Sequence, residues 1–64
     1  MMTTIATTKI DGYNIVLLVG ANNTFTVIMY DANGFIIEIR NPRTFATAEK
    51  TFEKMVKKIM ARYK

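Results

Sequence analysis

Apolar residues alternate with polar ones, or run together, in four short stretches, and then recur at helical spacing in one longer stretch. Thr3 to Ile10 is rich in threonine, which suits a half-exposed edge strand. Asp11-Gly12 follows, a strong signal for a two-residue hairpin turn. Tyr13 to Val19 and Thr24 to Tyr30 read as the second and third strands, parted by the loop Gly20-Ala21-Asn22-Asn23. Asp31-Ala32-Asn33-Gly34 suits a type I turn closed by a left-handed glycine; Phe35 to Arg40 is the fourth strand, and Pro42 ends it. Ala48, Phe52, Met55, Val56, Ile59, Met60 and Tyr63 then form one apolar helical stripe. Thr47 is the expected N-cap of that helix, with Phe45 folding back on its first turns.

The expected fold is α+β: a four-stranded antiparallel β-meander with one C-terminal α-helix packed across one face, in a single domain over residues 1–64. Strands are expected at about 3–10, 13–19, 24–30 and 35–40, and the helix at about 48–63. Sixteen helical residues reach roughly 24 Å and seven strand residues roughly 23 Å, so one helix matches the sheet in length.

Turn chemistry sets the register, because a slip of one residue reverses every side chain. With Gly34 as a bulge, Asp31 faces Phe35, Met29 faces Ile37 and Val27 faces Ile39. That register gathers Ile15, Leu17, Val19, Phe25, Val27, Met29, Phe35, Ile37 and Ile39 on one face. There they would meet Phe52, Met55, Val56, Ile59 and Met60, with Glu38 and Arg40 turned away on the exposed face. A two-residue Asn33-Gly34 loop would bring Ile28 and Tyr30 inside instead.

The second face of the sheet is apolar as well. Val16, Leu18, Ile28, Tyr30 and Ile36 adjoin one another on it, and a single helix can cover only one side. They could be scattered surface hydrophobes, which are common. As a contiguous patch, though, they form the face expected to meet a protein partner or a second copy of the chain. A homodimer is expected, since an isologous interface needs one patch only.

Composition narrows the chemistry. The chain has 64 residues, half of them hydrophobic, with no cysteine and no histidine. Disulfides and thiolate or imidazole ligands are thereby excluded, and so is the commonest general acid–base group. Asp11 and Asp31 are accounted for as turn residues, and Glu49 and Glu53 as helix surface. Gly12, Gly20 and Gly34 stand singly in turns without a phosphate-cradling pattern. No enzyme, cofactor, metal site or small-molecule substrate is expected. The longest apolar run, Ile15 to Val19, is too short to span a bilayer, and Met1 to Thr8 lacks a secretory pattern. The expectation is a cytoplasmic protein without membrane contact.

The net charge of +4 is unevenly placed. Lys9, Arg40 and Arg43 balance Asp11, Asp31 and Glu38, whereas Lys50, Lys54, Lys57, Lys58, Arg62 and Lys64 outnumber Glu49 and Glu53. Lys50, Lys54, Lys58 and Arg62 recur every four residues, and like charges at that spacing cost about 0.2–0.5 kcal/mol per pair in an isolated helix. Together with Lys57 they form a face for an anionic partner or a nucleic acid. A solvated helix face carrying lysines, partly offset by Glu53 beside Lys57, is the plainer account.

The element order, with Phe35-Ile36-Ile37-Glu38-Ile39-Arg40 as an acidic-then-arginine strand, resembles the PC4-like and whirly single-stranded DNA-binding families. That resemblance implies dimers which bind DNA through basic and aromatic strand residues. The bare meander, its Asp31-to-Gly34 turn and the Phe45-Ala46-Thr47-Ala48 helix opening are similar in style to small phage and mobile-element proteins, including anti-CRISPR inhibitors. This second resemblance implies a protein that occupies a surface of a larger complex. The function expected is therefore a small non-catalytic binding protein, an inhibitor or adaptor. The alternative is nucleic-acid binding through the basic helix row.

Overall fold

The computed structural model describes residues 2–62. Its elements are β1 (Thr3–Ile10), β2 (Tyr13–Val19), β3 (Phe25–Tyr30), β4 (Ile36–Arg40) and α1 (Phe45–Arg62). The strands form one antiparallel sheet in the order β1-β2-β3-β4, and the helix packs on one face of it, giving the expected ββββα architecture. Tyr63, expected in the helix stripe, lies outside the described residues.

The turns follow from their residues. Asp11 and Gly12 both take positive φ, 50° and 87°, as a primed two-residue hairpin requires. In the β3–β4 turn the amide of Gly34 donates to the carbonyl of Asp31 at 3.0 Å, and Gly34 has φ 86°. The Asp31 carboxylate also accepts from the amides of Asn33 and Phe35, both at 2.9 Å, so its side chain holds the turn closed.

The β2–β3 pairing brings Ile15 opposite Met29, Leu17 opposite Val27 and Val19 opposite Phe25, all on the helix side. Ile15, Leu17, Phe25, Val27 and Met29 pack with Ala48, Met55 and Ile59 of α1 into the core. Ala6, Ile10, Tyr13, Val19, Phe52 and Val56 surround it, partly buried. In β1 the pairing shifts between Thr4 and Ala6, so Ile5 is an extra residue there and is exposed.

β4 departs from the expected register. Tyr30 pairs with Ile36, but Met29 pairs with Glu38, Ile28 with Ile39 and Val27 with Arg40. The extra residue at Ile37 reverses the facing of everything after it. Glu38 and Arg40 therefore lie on the helix side, not on the far face, and Ile39 lies on the far face, not in the core. Phe35, Ile37 and Ile39 are exposed rather than buried. The cause is coverage. Four strands spaced about 4.8 Å put the outer two roughly 14 Å apart, whereas a helix with its side chains is about 10–12 Å across. α1 packs on β2 and β3 and lightly on β1, leaving the helix side of β4 at its flank, where charges stay hydrated.

Two helix expectations also change. α1 begins at Phe45, and Thr44 is its N-cap. The Thr44 hydroxyl accepts from the amide of Thr47 at 3.2 Å and donates to the Thr47 hydroxyl at 2.9 Å, which places Thr47 inside the first turn. The earlier start lets Phe45 pack against Phe25, the rings tilted at 55° with centroids 6.0 Å apart. It also moves Glu49 beyond the first turn, where no acidic residue remains. Met60 stands at the edge of the stripe and is exposed, not part of the core.

Candidate functional site

Pairing across the sheet brings Val16, Leu18, Ile28, Tyr30 and Ile36 onto the face opposite the helix, with Val16 beside Ile28, Ile28 beside Ile39 and Tyr30 beside Ile36. The exposure is uneven. Ile28 is only 8 % exposed, shielded in a central strand, while Val16, Leu18 and Tyr30 are half-buried. The exposed weight falls on β4: Ile36 at 56 %, Ile37 at 46 % and Ile39 at 46 %. The patch is thus larger than the sequence suggested, and its open part lies at one edge of the sheet. The shortest dimension of the molecule, 15 Å, is that of one sheet and one helix.

The charged helix side of β4 makes a second feature. Glu38 Oε2 forms an ion pair with Arg40 Nη2 at 2.9 Å, and Glu38 Oε1 accepts from Lys58 Nζ at 3.2 Å. Arg40 Nη1 further donates to the Ile39 carbonyl at 3.3 Å. Glu38 is thereby half-sheltered, its side chain 18 % exposed against 61 % and 63 % for its partners. It thus has two basic partners, one from its own strand and one from the helix. Glu38, Arg40, Thr51, Lys54, Met55 and Lys58 line a groove of about 350 Å³ between β4 and α1.

The helix row does not lie flat on one side. Each step of four residues advances about 40° around a helix, so the row winds from Lys50 toward the β4 flank at Lys58. Lys54 and Lys58 therefore border the groove. Lys50 and Lys57 are exposed away from it and, like Lys54, make no ion pair among the described residues. Arg62 is in the last described turn of α1. The sequence does not show the groove, because the register expected from the turn puts its strand half, Glu38 and Arg40, on the other face. The signal available was the pair of charges at alternate positions of β4, which the bulge turned toward the lysines.

Among the described residues no three His, Cys, Asp or Glu side chains stand close enough to hold a metal ion. No helix among them is long and apolar enough to cross a membrane. No family model, curated protein or solved structure matches the chain.

Proposed function

We propose that the chain is a small binding protein with no chemistry of its own, an inhibitor or adaptor that occupies a surface of a larger macromolecular complex. In this reading it works as a homodimer joined through the open sheet face. One observation carries it: Ile36, Ile37 and Ile39 are exposed within four consecutive residues and run on into Val16, Leu18, Ile28 and Tyr30. Fully burying an aliphatic side chain is worth roughly 1.5–3 kcal/mol, so water is a costly neighbour for such a patch. A second copy satisfies it with no new chemistry, because a two-fold interface matches the patch to itself.

Sedimentation equilibrium over a range of concentrations tests this, with Ile36→Asp combined with Ile39→Lys beside the parent chain. Both positions are exposed, so the double variant keeps the circular dichroism of the parent while the dimer separates. A folded parent that stays monomeric well above micromolar concentration would remove the homodimer. Ile28 is unsuitable as the probe, because a charge at that buried position would unfold the protomer itself.

Nucleic-acid binding through Lys50, Lys54, Lys57, Lys58 and Arg62 is the second reading, supported by Lys50, Lys54 and Lys57 lacking ion-pair partners among the described residues. It requires affinity for an oligonucleotide that falls steeply with salt, by roughly 0.7–0.9 in the log–log slope for each phosphate contacted.

A further inference from the structure

We propose that the free edge of β4 takes up an extended acidic segment of a partner protein as a fifth strand. Its acidic side chains enter the groove beside Arg40, Lys54 and Lys58, and its alternate, apolar side chains join Ile37 and Ile39 on the open face. The proposal rests on reading the chain as a binding protein, but not on the homodimer.

β4 is the last strand of the sheet, so its outer backbone groups have no strand partner. Edge strands are commonly blunted by charge, proline or a bulge. The irregularity in β4 lies at its start, and from Glu38 to Arg40 the pairing with β3 is regular. On the open side the strand presents Ile37 and Ile39, each 46 % exposed. On the helix side it borders the groove of about 350 Å³. A strand sends successive side chains to opposite faces. A segment pairing with this edge therefore needs apolar and charged residues in alternation.

The charge of the groove sets the sign. Arg40, Lys54 and Lys58 stand against Glu38 alone, and both Glu38 oxygens are already engaged. A guanidinium offers five N–H donors and an ammonium three. Arg40 pairs with Glu38 and spends one on the Ile39 carbonyl, and Lys58 spends one on Glu38, while Lys54 makes no such bond among the described residues. Donors remain on all three cations bordering one groove, with no protein acceptor among the described residues. Carboxylates at every second position of an added strand would supply the acceptors, and the backbone ladder would supply the affinity.

A second copy is the wrong occupant for this edge. Pairing β4 with β4 would bring two grooves of the same positive sign side by side, and the Glu38 of each copy is already committed within its own chain. The open face suits a second copy; the edge suits an acidic strand.

The probe is a fluorescent synthetic peptide of alternating glutamate and valine, about six residues long, the usual length of a strand. Saturable binding by anisotropy is expected, with the amides of Ile37 to Arg40 shifting and those that point away from β3 gaining exchange protection. Arg40→Glu with Lys54→Glu weakens binding by about tenfold or more, whereas Lys9→Glu with Arg43→Glu, equal in charge but outside the groove lining, changes it by less than about twofold. The same peptide carrying N-methyl groups along its pairing edge no longer binds. Absence of saturable binding, or equal binding of the N-methylated peptide, overturns the proposal. So does tighter binding of a charge-matched oligonucleotide with the same sensitivity to Arg40 and Lys54. A parent that sediments as a monomer and binds the peptide removes the homodimer and keeps this proposal; a dimer that ignores the peptide does the reverse.

Discussion

β3 and β4 are neighbours in one sheet, both strongly apolar, and they meet opposite fates. Five of the six residues of β3 are buried, and none of β4 is. Intrinsic strand preference does not separate them, since β3 is rich in β-branched and aromatic residues and three of the five residues of β4 are isoleucine. The difference is cover. β3 has strands on both sides and α1 across one face, whereas β4 has one strand neighbour and lies beyond the flank of the helix. Burial is thus a property of the position in the sheet before it is a property of the residue. The strand that the protomer leaves bare is the one to examine for binding.

The contrast can be broken most directly at its buried end. Met29→Ala in β3 is expected to cost about 2–5 kcal/mol of unfolding free energy, read from the denaturant midpoint. Ile37→Ala in β4 is expected to stay within about 0.5 kcal/mol when measured on the dilute protomer. Equal losses at the two sites would mean that β4 is covered in solution by the chain itself. Ile28→Ala comes next, at about 2 kcal/mol, because Ile28 is buried although it lies on the open face. A loss no greater than that of Ile37→Ala would show the face to be as open at its centre as at its edge.

Smaller effects sharpen the comparison at the helix that provides the cover. Thr44→Ala is expected to lower stability by about 1 kcal/mol, as loss of an N-cap does, and Thr47→Ala by distinctly less. The reverse order in thermal melts would return the helix start to the later position. Smallest of all, Glu38→Gln removes two exposed ion pairs and is expected to change stability by about 0–1 kcal/mol, fading as salt is raised.

Much of this molecule is legible without coordinates. Asp11-Gly12 and Asp31-Ala32-Asn33-Gly34 state their turns through residues that tolerate positive φ or bond their own backbone. Alternation through β2 and β3 settles which of their side chains meet the helix, because the loop between them keeps the two strands in phase. The spacing of Ala48, Met55 and Ile59 identifies the buried side of α1.

What the sequence left undecided depends on surfaces meeting at a distance. Whether Glu38 or Ile39 faces the helix turns on one extra residue at Ile37, a bulge whose local cost is small and whose placement follows how far the helix reaches across the sheet. Thr44 and Thr47 are both competent caps by composition. Packing of Phe45 on Phe25 accompanies the earlier one. The groove exists because a charged pair on β4 and a lysine row on α1, far apart in the chain, arrive at the same flank. Local propensity and periodicity wrote the elements, while the width of a single helix against four strands decided which apolar residues it could not cover.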